Sequence, residues 1–137
     1  MPGKDYWPET NFRLPGSESL KPIRKFESGA DRDVADNKLQ YEAFLSPIVL
    51  REFAIYMHAK RTRNDGTLRN GDNWQKGIPV ESYMDSLWRH FMDVWLSYRG
   101  FDYFNGEETP DIIEALMAML FNVQGMAHEL LKQREEL

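Results

Sequence analysis

The stretch Thr109-Pro110-Asp111-Ile112-Ile113-Glu114-Ala115-Leu116-Met117-Ala118-Met119-Leu120-Phe121-Asn122-Val123 decides the fold. Ile112, Leu116, Leu120, Val123, Ala127 and Leu130 recur at the spacing of one helix face. Thr109 reads as the N-cap and Pro110 as the first helical position. Asp111 then falls in the first turn, where an acid suits the positive end of the helix dipole. The pattern predicts a long helix that frays into the charged tail Lys132-Gln133-Arg134-Glu135-Glu136-Leu137.

Two more helices precede it. One is expected from about Val80 to Tyr98, with Met84, Leu87, Trp88, Phe91, Trp95 and Tyr98 as its apolar stripe and Gly100 as its stop. The other opens on Ser46 as N-cap and Pro47 and runs to about Ala59, with Val49, Leu50, Phe53, Ala54 and Met57 at helical spacing. Between them Lys60 to Trp74 is basic and glycine-rich, with turn signals at Asp65-Gly66 and Asn70-Gly71. Its flanks lack alternating apolar residues, which favours a loop over a hairpin. Upstream, Pro2, Pro8, Pro15 and Pro22 with Gly3, Gly16 and Gly29 predict an extended arm over residues 1–40. Tyr6, Trp7, Phe12 and Phe26 would anchor that arm on a surface. No strand and no internal repeat stand out. The expectation is an all-α fold, a small helical bundle over residues 41–137 behind a long extended N-terminal arm.

Composition narrows the function. The 137 residues hold 17 Lys and Arg against 22 Asp and Glu, a net charge of -5, which argues against binding nucleic acid through its phosphate backbone. The absence of cysteine excludes disulfides, thiolate metal sites and cysteine nucleophiles. No apolar run approaches the ~20 residues of a membrane span. The start MPGKDYWPETNF has no apolar signal-peptide centre, so a cytosolic protein with no membrane partner is expected.

The polar edges of the helices carry the candidate chemistry. With Met84 at 0° and about 100° per residue, Glu81 falls near 60° and Asp85 near 100°, one turn apart on one edge of the apolar stripe. His90 falls near 240° beside Tyr83, and Asp93 near 180° reads as a solvated acid. On the last helix Asp111, Glu114 and Asn122 share an edge with the small residues Ala115 and Ala118, which leave room for something other than a side chain. Carboxylates from two helices would make an oxygen-rich site suited to Mg²⁺ or Mn²⁺. Such an ion, bridging phosphate oxygens and activating water, serves phosphoanhydride hydrolysis. Arg32, Lys38, Lys76 and Arg89 are candidate phosphate ligands, and Trp74 could stack on a base. The plainer reading of each is a surface cation or a surface ring, and Asp111 could serve only the helix dipole.

Taken together, Phe26-Glu27-Ser28-Gly29-Ala30, Arg32-Asp33, Lys38-Leu39, Tyr41, Asn73-Trp74-Gln75-Lys76-Gly77 and Asp85 through Arg89-His90 resemble, in order and spacing, the phage dATP/dGTP diphosphohydrolase family. That family is related to the MazG-like all-α nucleotide pyrophosphohydrolases and includes the MazZ enzymes of phages with 2-aminoadenine DNA. The resemblance spans about residues 26–130. It implies a MazG-like bundle that cleaves deoxynucleoside triphosphates to monophosphate and pyrophosphate with Mg²⁺ or Mn²⁺. The substrate would be dGTP, with dATP as a second, in the cytoplasm of the host bacterium. The MazG pattern of E-x-x-E and a later E-x-x-D is matched here by Asp111-Ile112-Ile113-Glu114, with the acid types exchanged. The earlier helix departs from it, having Glu81 and Asp85 four apart. Gly106-Glu107 matches an acid after a glycine before the last helix. The resemblance thus implies Glu81, Asp85, Glu107, Asp111 and Glu114 as metal ligands, with Asp85, Asp111 and Glu114 catalytic. Arg32, Lys38, Trp74, Lys76, Arg89, His90 and Asn122 would hold the nucleotide.

Two other functions compete. One is housecleaning hydrolysis of noncanonical nucleoside triphosphates. The other is non-enzymatic, an acidic helical phage protein that binds a host partner through its aromatic arm. Three helices rich in Trp, Phe, Met and Leu present more apolar surface than they cover among themselves, so a homodimer or homotetramer is expected.

Overall fold

The computed structural model of the chain describes residues 23–33 and 38–135. It is mostly helical, with α1 (Tyr41–Phe44), α2 (Pro47–Ala59), α3 (Val80–Tyr98) and α4 (Ile112–Glu135). Against the strandless expectation, β1 (Ile23–Lys25) pairs antiparallel with β2 (Asp31–Asp33), and β3 (Tyr103–Phe104) with β4 (Glu107–Glu108). The chain divides into two units between Ser46 and Pro47.

In the first unit Arg24 faces Arg32 across the β1–β2 hairpin, and Lys25 faces Asp31. Gly29, at φ 89°, makes the reversal that lets the Phe26 amide donate to the Ala30 carbonyl at 2.8 Å. The Arg24 guanidinium lies 5.1 Å from the centre of the Phe26 ring. Tyr6, Trp7 and Phe12, the other expected anchors, and Pro2, Pro8, Pro15 and Pro22 lie outside the described residues.

In the second unit the long helices form where periodicity predicts them. α3 stops at Gly100, whose φ of 84° suits glycine. The Phe101 amide then donates back to the Leu96 carbonyl at 2.9 Å, satisfying an end-of-helix acceptor. The start of α4 corrects the expected cap. Asp111, not Thr109, is the N-cap, its Oδ2 accepting from the Ile113 amide at 3.1 Å and the Glu114 amide at 3.4 Å. Thr109 instead turns its hydroxyl to the Phe101 carbonyl at 2.6 Å, tying down the β3–β4 connection. That hairpin reverses at Asn105-Gly106, both at positive φ.

The segment from Lys60 to Trp74 is also more ordered than a loop. Thr62 pairs antiparallel with Leu68 around Asp65-Gly66. The Arg63 amide donates to Thr67 at 2.7 Å and the Arg69 amide to Arg61 at 2.8 Å. Asp65 closes the tip by accepting from the Thr67 hydroxyl at 2.6 Å, a bond that holds its carboxyl below the usual carboxylate range. The turn chemistry outweighs the missing apolar alternation because the ladder is short and does not cover a core.

α3 packs on α4, but by neither expected stripe. Tyr83 is only 2% exposed and stands over Gly125, where a Cβ would overlap its ring. Val80, Ala115, Met117, Ala118 and Asn122 are also buried. The glycine on α4 lets the two helices close at this point. Burying a ring the size of Tyr83 stabilises the pair by roughly 2–3 kcal/mol. The apolar stripe of α3 is left open, with Trp88 63% and Tyr98 78% exposed. Among the described residues, no helix is long and apolar enough to cross a membrane.

Candidate functional site

Beside the α3–α4 seam, within the second unit, lies a cavity of about 450 Å³. That is within the range of small-molecule sites, roughly 300–1,000 Å³. α2 supplies Tyr56 to it, the hairpin Arg61 and Arg69, and the following short 3₁₀ helix (Asn73–Lys76) Trp74. Lys60 also lines it, with Ser86 and His90 from α3 and Phe121 and Asn122 from α4. Its wall is therefore cationic and aromatic, and no Asp or Glu is part of it.

The cations are held without being neutralised. Arg61 donates through Nε to the Arg69 carbonyl at 2.8 Å, and Arg69 through Nη1 to the Lys60 carbonyl at 3.0 Å. Neither has a carboxylate partner among the described residues. Backbone carbonyls fix where the guanidinium groups stand and leave their full charge for an anion. Among the described residues Lys60 has a carboxylate nearby, Glu114 at 3.8 Å, with both side chains more than half exposed. Its Nζ also lies 5.4 Å from the Tyr56 ring centre. Burial, and then the Glu114 charge, raise the Tyr56 hydroxyl above its ordinary pKa.

The aromatic part is packed through ring contacts. Trp74 meets His128 edge to face at 4.8 Å between centroids, and Phe121 meets Tyr83 at 5.8 Å. His90 Nδ1 is 3.7 Å from Asp93 Oδ2. Asp93 is thus a half-buried companion of the cavity histidine and not the outward-facing acid expected from projection.

The expected nucleotide-binding residues fare unevenly. Trp74, His90 and Asn122 do line the cavity. Arg89 is exposed and bonds Ser86 Oγ at 2.8 Å, and Lys76 ends the 3₁₀ helix outside the cavity wall. Arg32 and Lys38 are exposed residues of the first unit.

The expected metal ligands are not gathered. Asp111 caps α4, Glu114 faces Lys60, and Glu107 is exposed in β4. Glu81 and Asp85 are exposed on α3. By helical projection they lie about 160° from the Tyr83–His90 edge that meets α4, which keeps them from α4 within one chain. Among the described residues no three Asp, Glu or His side chains come together as a metal site. The acids implied as ligands for Mg²⁺ or Mn²⁺ therefore stand apart from one another among the described residues of one chain.

The chain matches no protein-family model, no curated protein and no solved structure. The reading of the cavity rests on its own chemistry. Sequence reasoning missed Lys60, Arg61, Arg69, Tyr56 and Phe121. The signal for the three cations was a cationic cluster in an acidic chain, where two turn dipeptides start five residues apart.

Proposed function

We propose that the cavity binds a deoxynucleoside triphosphate, which the protein hydrolyses between the α and β phosphates to monophosphate and pyrophosphate. One observation carries this reading. Arg61 and Arg69, without a carboxylate partner among the described residues, share a cavity of nucleotide size with Lys60 and the rings of Tyr56, Trp74 and Phe121. The rings offer a stacking surface for a base, and the cations suit a polyanion. In the reaction, water attacks the α phosphorus and pyrophosphate leaves. Fixed cations stabilise the charge that gathers on the leaving group. His90 takes the proton of the attacking water, and the nearby Asp93 carboxylate stabilises the imidazolium that results.

The resemblance extends this reading to a MazG-like enzyme of phage nucleotide metabolism in the host cytoplasm. Its substrates would be dGTP and dATP, and its product dGMP would feed 2-aminoadenine DNA. The reaction is proposed to depend on Mg²⁺ or Mn²⁺, although the described residues of one chain bring no three acids together for that ion. The open α3 stripe favours a homodimer or homotetramer, and Glu81 and Asp85 lie beside that stripe.

The test is a panel of dNTPs and NTPs, with and without Mn²⁺, in which pyrophosphate and orthophosphate are measured separately. Pyrophosphate released from dGTP or dATP is expected. Orthophosphate alone, or no product from any nucleotide, would sink the proposal.

A further inference from the structure

We infer that Asn122 is the base-reading residue of the cavity and that it selects a purine carrying an exocyclic amine. The inference rests on the cavity being a nucleotide site. Asn122 is only 4% exposed, yet it lines the cavity. Its Nδ2 donates to the Ala118 carbonyl at 2.8 Å. A carbonyl oxygen can only accept, so this bond fixes which end of the amide is nitrogen. The side chain has then spent one donor on its own helix, and its Oδ1 accepts no hydrogen bond among the described residues. The Tyr83 hydroxyl and Glu129 Oε1 are sealed from solvent without partners. Asn122 Oδ1 is not sealed in that way, and the opening that Asn122 lines is the cavity.

What Asn122 offers a ligand is therefore an oriented acceptor on the wall next to Phe121. An acceptor held in a buried wall discriminates sharply. A ring that donates to it replaces the water it gives up, whereas a ring of the same shape without the donor leaves it unpaired. A purine with an exocyclic amine carries such a donor, and a purine of the same shape without that amine does not. The phosphate cations do not enter this choice, because they meet the same triphosphate whatever the base.

The experiment is calorimetric titration of the full chain in buffer free of divalent metal. Wild type and Asn122→Leu are titrated with dATP and with 2′-deoxypurine riboside triphosphate, which lacks the exocyclic amine, then with dGTP and with dITP. Inorganic pyrophosphate is the probe for the cations alone. In wild type, one pair or both should differ at least about tenfold in Kd. In Asn122→Leu that ratio should fall below about twofold while pyrophosphate affinity is unchanged, because a leucine of similar volume leaves the phosphate cations in place. Equal wild-type affinity within both pairs overturns the inference even if the variant does not fold. So does a ratio that persists in a folded variant. If pyrophosphate binds but no base is preferred, the cavity reading stands and the role of Asn122 falls. If neither pyrophosphate nor any triphosphate binds, the cavity reading falls and takes this inference with it.

Discussion

α4 has a closed side and an open one, and the two follow opposite physics. Against α3 it presents Gly125, and the seam closes until Tyr83 rests on the glycine backbone. At the cavity it presents Phe121 and Asn122 across open space walled by the cations Lys60, Arg61 and Arg69 and by Ser86 and His90 of α3. The closed seam sets where α4 stands, and the open side uses that position. A shape change should therefore hurt the seam most, and a charge change the cavity. Stability and binding become separable quantities in this molecule.

The largest effect is expected from Gly125→Ala. Alanine favours helix over glycine by about 1 kcal/mol. Overlap with the packed Tyr83 ring costs more, up to about 3 kcal/mol, so the net is a loss of roughly 2 kcal/mol. Chemical denaturation reads this directly, and an unchanged or higher midpoint would mean that the seam is looser than described.

Lys60→Ala comes next and probes the other side. Removing one cation from the cavity should weaken pyrophosphate or nucleotide binding about tenfold and leave the denaturation midpoint within about 0.5 kcal/mol. Titration and denaturation of the same preparation check both halves. A large stability loss with unaltered binding would reverse the assignment of roles.

Asp111→Ala sharpens the contrast between a cap and a metal ligand. Loss of the two amide bonds should cost about 1 kcal/mol. As a cap alone, Asp111 would leave turnover close to wild type at temperatures where the protein stays folded. Abolished turnover in a folded Asp111→Ala protein would restore it to the metal-ligand role that the resemblance implies.

The smallest effect belongs to Tyr83→Phe, which removes a buried hydroxyl without a partner and should change stability by less than about 1 kcal/mol. Its signature lies in alkaline solution. Burial and then the Glu129 charge raise the Tyr83 hydroxyl above its ordinary value of 10.0. The unfolded chain then releases this proton first, so the wild-type contribution is whole below about pH 10 and fades as pH rises toward the higher folded value. Thermal melts across pH 8–11 should show wild type falling more steeply than the variant above pH 10, and parallel curves would remove Tyr83 as the cause.

The helices were legible because periodicity and end signals are local. Pro47, Gly100 and the run from Ile112 mark their ends through backbone geometry that any neighbour must accept. Which face of each helix is buried was not legible. Hydrophobic content pointed to Trp88, Trp95 and Tyr98, yet the seam went to Tyr83 and Gly125, because close approach depends on the fit of a large residue to a small one across two helices. The cavity was half legible. Trp74, His90 and Asn122 could be named from the chain, since each stands in a motif or on a helix edge. Lys60, Arg61 and Arg69 could not, because their positions depend on a short hairpin whose strands hold the guanidinium groups by backbone carbonyls. The chain by itself determined a helical protein with a charged turn between its first two long helices. Only the tertiary structure decided which acids are kept apart, which cations converge and which way the Asn122 amide points, because each of these depends on a distance between residues remote in sequence or on a bond whose partner must first be put in place.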